Sequence, residues 1–187
     1  KVNAKDIPLA VKSTTDKCLA NYAEVAEKCI NSVVQIEATE TVQSYYYGPQ
    51  TSVGRGSGVI YTTNGYIITN YHVVGKNTEK ITVTLYDGTK YEGAYICGDE
   101  SADVSVIKIN KNDCTAAKIG DSDALKLGEQ VLAIGNPLGY GITLSDGIIS
   151  ALSRTVTVEN TTMTLMQTTA AINSGNSGGG LFNMKGE

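Results

Sequence analysis

The sequence predicts an all-β protein, built from two antiparallel β-barrels behind a single N-terminal helix, with the second barrel incomplete. Three observations carry that prediction. Short runs rich in Val, Ile, Thr and Tyr recur between residues 32 and 109, alternating with period two or forming brief apolar stretches. Asn64-Gly65 and Asp87-Gly88 fall between such runs, where hairpin turns need residues that tolerate a left-handed backbone. A second, shorter set of runs follows a polar stretch and ends within 187 residues, too few strands to mirror the first.

The helix is expected over 17–31, KCLANYAEVAEKCIN, with apolar residues at 19, 23, 26 and 30 forming one face. Strands of the first lobe are expected at 32–38, 58–62, 66–70, 81–86, 91–97 and 103–109, and six short strands at that spacing close most simply into a barrel. The stretch 41–56 shows no period and reads as a long exposed loop, with Tyr45, Tyr46 and Tyr47 as a candidate partner surface. Residues 111–128 are polar, with one short apolar beat at Ala124, Leu125 and Leu127, and read as a linker holding one helical turn. The second lobe is expected to use strands at 130–135, 142–154, 156–160, 164–169 and 179–183. The organisation is then an N-terminal extension over 1–31, a first barrel lobe over 32–110, a linker over 111–128 and a second lobe over 129–187.

Composition narrows the function. Fifteen Lys and Arg stand against nineteen Asp and Glu, a net charge of −4, which leaves no basic footprint for nucleic acid. No apolar run approaches the roughly 20 residues of a membrane-spanning helix. The chain begins at Lys1, so a signal or membrane anchor upstream would leave no trace in it. Cys18, Cys29, Cys97 and Cys114 form no C-x-x-C pair, and the simplest expectation is free, buried thiols; an approach of Cys97 to Cys114 across a hairpin stays open. No phosphate loop, dinucleotide fingerprint or cluster of metal ligands appears, so neither cofactor nor metal is expected.

His72 is the single histidine, in TNYHVV. Any imidazole chemistry must use it, and a multi-histidine metal site is excluded. Ser177 sits among Gly175, Gly178, Gly179 and Gly180, either in a plain flexible turn or as a nucleophile on a tight loop whose backbone amides converge. GNSGG also fits the nucleophile-elbow pattern G-x-S-x-G, but that fold needs its acid and histidine after the serine, and residues 178–187 hold no His or Asp. What remains is the order His, Asp, Ser of the chymotrypsin triad. Asp103, at the head of DVSVIKI and 31 residues beyond His72, is the best-placed carboxylate, able to be buried beside the imidazole. Asp87, Asp99, Glu100, Asp121 and Asp123 read as turn or cap residues.

With these residues in place the chain resembles the protease domain of the HtrA (Deg) family of trypsin-like serine proteases, from about residue 32 to 186. The matching segments are GSGVIYTTNGYIITNYHVV (56–74), VTLYDGTKYEGAYICGDESADVSVIKI (83–109), AKIGDSDALKLGEQVLAIGNPLG (117–139) and MQTTAAINSGNSGGGLFN (166–183). The resemblance implies His72, Asp103 and Ser177 as the triad, Gly175 and Ser177 as oxyanion amides, and Ala170, Ala171 and Ile172 as part of a pocket for small aliphatic side chains. It implies an extracytoplasmic bacterial endopeptidase that cleaves unfolded or misfolded polypeptides, with trimers common among relatives and membrane anchors or PDZ domains carried outside this segment. The contrasting expectation is a non-catalytic, peptide-binding or chaperone-like barrel, or an inactive piece of a protease lacking the last strands of its second barrel. Asn176 stands where chymotrypsin-like zymogens carry an aspartate that pairs with a freed N-terminus; a neutral amide cannot, so regulation by loop ordering is expected. The sequence departs from the family pattern at Thr169, usually aspartate, and at Ser174 and Gly180, usually proline.

Overall fold

The computed structural model describes residues 21–44, 48–136, 141–158, 161–173 and 176–187. The expected partner surface at Tyr45–Tyr47 and the Cys18 thiol lie outside them. Helix α1 spans Tyr22–Cys29, and a 3₁₀ turn continues it through Ile30–Ser32. Its first turn is closed by Asn21, whose side-chain oxygen accepts from the Glu24 amide at 3.3 Å while its Nδ2 donates to the Glu24 carboxylate at 2.8 Å. The buried stripe is Val25, Ala26 and Cys29; of the expected face Ala26 is buried, Ala23 is exposed, Ile30 is half-buried, and residue 19 lies outside the described residues. The larger Val25 and Cys29 face Leu132, Ile134 and Phe182, and this shared cluster selects the face that docks.

Six strands form the first unit: β1 (Val33–Ser44), β2 (Gly48–Ile60), β3 (Tyr66–Thr69), β4 (Lys80–Thr84), β5 (Lys90–Asp99) and β6 (Val104–Ile109). They close into an antiparallel barrel in the order β1-β2-β3-β6-β5-β4. Alternation decides what enters it. Ile67 of β3, Ile81 and Val83 of β4, and Ile107 and Ile109 of β6 are buried together with Val34 and Ile36, while the residues between them in β3, β4 and β6 are only half-buried on the other face.

The expected loop at 41–56 is instead a long hairpin. β1 and β2 stay in register from Val33↔Val59 out to Ser44↔Gly48. Residues 49–55 are exposed on both faces, so the ladder is held by backbone bonds and leaves no apolar alternation in the sequence. The pattern-based limits therefore end the first strand at 38 where it runs to Ser44, and begin the second at 58 where it starts at Gly48.

Between β6 and the next strand lies irregular chain with one 3₁₀ turn, Ser122–Ala124, capped by the Asp121 carboxylate accepting from the Asp123 amide at 3.0 Å. The second unit is a sheet in the order β10-β7-β8-β9, built from β7 (Gln130–Gly135), β8 (Thr143–Val158), β9 (Thr161–Thr168) and β10 (Gly180–Asn183). β8 is one strand where the sequence reads as two. Its pairing with β9 shifts register between Ile149 and Ala151 and again between Ala151 and Arg154, and such irregularities break the side-chain alternation without ending the strand. Together the closed barrel and the half-barrel give the chymotrypsin-like fold.

Two of the thiols, Cys29 and Cys114, are buried and free, and burial pushes both above the ordinary thiol range. Cys97 is also free but exposed, which corrects the expectation that the thiols are all buried and the open possibility that Cys97 bridges to Cys114.

Candidate active site

The histidine is placed by the end of β3. After Thr69 the Asn70 carbonyl accepts from the amides of Val73 and Val74 at 3.2 and 3.1 Å, so the chain turns at once. Val73 and Val74 drive into the barrel core, and the turn between leaves the His72 side chain 57% exposed. β6 is the antiparallel neighbour of β3, with Thr69 opposite Ser105, so the start of β6 lies beside the end of β3. Residues 31 apart in sequence meet there. The Asp103 carboxylate accepts from the His72 backbone amide at 2.9 Å through Oδ1 and sits 2.8 Å from His72 Nδ1 through Oδ2. An ionised carboxylate only accepts, so this contact puts the ring proton on Nδ1 and leaves Nε2 free to take one.

The loop before Asp103 is wound on Asp99, whose Oδ1 accepts from the Ser101 hydroxyl at 2.6 Å and from the Ser101 and Ala102 amides at 2.8 and 3.2 Å. The Ser101 hydroxyl chiefly, then the two amides, hold the Asp99 carboxyl below its ordinary range. Asp87 and Asp121 take the turn roles expected of them, accepting from the amides of Thr89 and Asp123. Asp103 itself is half-buried, with 29% of its side chain exposed, not enclosed as the sequence led us to expect.

Ser177 is half-buried and stands in the turn just before β10 of the second sheet. The Ser57 amide donates to the Ser177 carbonyl at 2.8 Å, and the Asn136 amide donates to Ser57 Oγ at 2.8 Å, so β2 ties both the serine loop and the end of β7 to the barrel. Gly178, at φ +80°, packs against the Ser57 carbonyl, Thr69 Oγ1 and the Asn70 amide; a Cβ there would sit 3.2 Å from Asn70 N and collide with the other two. The serine loop thus rests on the strand end that leads into His72. Gly175, the other expected oxyanion amide, lies outside the described residues.

Asn176 is buried, its Nδ2 donating to the Ala171 carbonyl at 3.4 Å and its Oδ1 without a hydrogen-bond partner among the described residues. Of the expected pocket residues, Ala170 is buried, while Ala171 and Ile172 are exposed. Their segment is pinned to β8, with the Thr169 amide donating to the Ile148 carbonyl at 3.0 Å and Ser145 Oγ to the Ala171 carbonyl at 2.7 Å. The residues that pattern reasoning missed are Ser57, Thr69, Asn70 and Asn136. Their signal is weak, since they act through bonds to groups remote in sequence.

The profile of the trypsin-like peptidase domain matches residues 56–187. The periplasmic serine endoprotease DegP of Salmonella typhimurium is 47% identical over 141 residues, covering 74% of this chain and 29% of that protein. DegP of Escherichia coli K12 is 45% identical over 140 residues, with the same coverage. This chain belongs to the HtrA/DegP family of trypsin-like serine proteases. A solved structure of the HtrA-type protease AlgW with a tripeptide superposes with a TM-score of 0.78 at 36% identity, covering 88% of this chain and 51% of that one. A variant of AlgW with a decapeptide gives a TM-score of 0.80 at 33% identity, covering 88% and 55%. The chain spans less than a third of the length of the DegP proteins it matches. Among this HtrA-family chain's departures, Thr169 has a local role: its hydroxyl accepts from the Ile148 amide at 3.0 Å, a bond that an aspartate could also accept.

Proposed function

We propose that this chain carries the catalytic centre of a serine endopeptidase acting on unfolded or misfolded polypeptides in an extracytoplasmic compartment. The observation that carries the proposal is the two-point grip of Asp103 on His72, at 2.9 and 2.8 Å, beside the docked Ser177 loop. A binding scaffold has no physical need of that arrangement. In the reaction Ser177 Oγ attacks the peptide carbonyl as His72 Nε2 takes its proton, and Asp103 holds the Nδ1 proton and stabilises the imidazolium. The amides of Gly175 and Ser177 receive the oxyanion, each worth about 2.7 to 4 kcal/mol in the transition state. His72 then returns the proton to the leaving amine, and water attacks the acyl-enzyme by the same route in reverse.

Ala170, Ala171 and Ile172 form part of the pocket for a small aliphatic side chain. The substrate class is supported by the family and by the AlgW structures, which are with a tripeptide and a decapeptide. The compartment is supported by relatives named as periplasmic endoproteases. Homotrimer assembly, and an anchor or PDZ domain in a longer parent chain, belong to the same proposal.

The test is fluorophosphonate labelling at neutral pH read by intact mass, beside Ser177→Ala and His72→Ala. Labelling that vanishes in both variants supports a working centre. Absence of labelling, both in this chain and in a longer chain with the remaining strands of the family's second barrel appended, would refute it in favour of a non-catalytic peptide-binding barrel.

A further inference from the structure

Asp103 is the one residue other than glycine with a positive φ among the described residues, at +51°. Left-handed backbone costs a residue with a Cβ, although Asp tolerates it better than most, and it persists only where the surroundings determine it. Here both ends of Asp103 are held by one short segment. His72 takes the carboxylate, and Asn70 Nδ2 donates to the Asp103 carbonyl at 2.8 Å. The amide of Asp103 donates to the Glu100 carbonyl at 3.3 Å, a longer tie than the one Asn70 makes. Asn70 also stands at the junction of three parts: its carbonyl receives the amides of Val73 and Val74 in the His72 turn, and its amide lies against Gly178 of the serine loop.

We propose that Asn70 is a positioning residue of the catalytic centre, its side-chain amide holding Asp103 in the left-handed conformation that presents the carboxylate to His72 Nδ1. The proposal rests on reading His72 and Asp103 as the base and its orienting acid. Asp99 and its hydrogen bonds shape the preceding turn, but they end at Ala102, so the carbonyl of Asp103 depends on Asn70. Without that bond the backbone relaxes toward a right-handed or extended form and the carboxylate leaves the imidazole.

His72 is the single histidine, so its ring proton is an unambiguous probe that needs no turnover. With histidine labelled by ¹⁵N, the Nδ1 proton of the unsubstituted chain is expected far downfield and protected from exchange. Asn70→Ala and the shape-conserving Asn70→Asp, which cannot donate, should lose that signal or move it upfield. Asn70→Gln, which keeps an amide donor, should recover much of it. Fluorophosphonate labelling of Ser177 should slow by roughly ten- to a hundredfold in the first two variants. An unmoved Nδ1 resonance in Asn70→Ala and Asn70→Asp overturns the proposal. So does unfolding of both, seen as collapse of the β1 to β4 amide dispersion, because Asn70 would then be a folding residue. Absence of the resonance from the unsubstituted chain also overturns it. A downfield resonance that moves as expected, in a chain that never labels, upholds the role of Asn70 and counts against the endopeptidase reading alone.

Discussion

The first unit and the second hold their functional residues by different means. In the first, every strand has neighbours on both sides, the ring closes, and Val34, Ile36, Ile67, Val83, Ile107 and Ile109 are fully buried. His72 and Asp103 sit at adjacent strand ends of that ring, joined by two hydrogen bonds. In the second, β9 and β10 lie at the ends of an open sheet, and Leu144, Ile148, Leu152, Leu165, Met166 and Leu181 are exposed. Ser177 comes from this open unit and owes its position to bonds that cross to the closed one. The His72–Asp103 pair is therefore held within one barrel, whereas Ser177, the proposed nucleophile, is placed by docking.

The largest effect should come from the barrel core. Ile67→Ala removes a fully buried side chain from a ring that cannot collapse around the gap, and should cost about 2 to 5 kcal/mol in urea unfolding. Leu165→Ala, on the exposed face of β9, should change stability by no more than about 0.5 kcal/mol. Similar losses at both positions would show that the open sheet is as tightly packed as the ring.

Gly178→Ala attacks the docking itself. It forces a Cβ against backbone at a left-handed position, so the serine loop must lift from Ser57 and Thr69. Fluorophosphonate labelling of Ser177 should fall by roughly a hundredfold while the hydrogen bond of His72 Nδ1 to Asp103, read by its ring-proton resonance, persists. Loss of both together would mean that the two units do not hold their residues independently.

Ser57→Ala is a gentler break. It leaves the buried Asn136 amide without its acceptor, which should cost about 1 to 3 kcal/mol and weaken hydrogen-exchange protection at the end of β7 before that of β3. Equal loss of protection in β3 and β7 would contradict that order.

The smallest effect concerns the thiols. At pH 8 a thiol reagent should modify Cys97 promptly, and Cys29 and Cys114 only on unfolding. The folded values of the two buried thiols are raised, so the folded state keeps its protons longer than the unfolded one. Their contribution to stability is complete below the ordinary value of 9.0 and is lost as pH rises above it, so chemical denaturation midpoints should fall between pH 8.5 and 10, to a small degree, and less in Cys29→Ala. A midpoint that rises over that window would reverse the sign of the argument.

Much of the barrel was legible because its strands bury one face. Ile67 and Thr69, Ile81 and Val83, and Ile107 and Ile109 recur with period two, and burial of that face leaves a trace in composition. The outer half of the β1–β2 hairpin left none, since residues 49–55 are wet on both faces. β8 was split by its own register shifts, and the α1 stripe was misread because the partner cluster of Leu132, Ile134 and Phe182 lies over a hundred residues away. At the site, His72 was legible through uniqueness and Ser177 through its glycines. Asp103 was chosen by its place at a strand head, and the structure adds that it is half-exposed and left-handed.

By itself the sequence determined the all-β class, the barrel strands and the candidate trio, because side-chain chemistry and alternation are local properties carried by neighbouring residues. Only the tertiary structure decided which carboxyl oxygen meets which histidine nitrogen, that Asn70 holds the Asp103 carbonyl 33 residues away, and that Gly178 rests on β2 and β3. Those contacts are made by single polar groups whose partners are chosen by strand order and chain reversal, and no local pattern of residues records a partner that folding alone brings near.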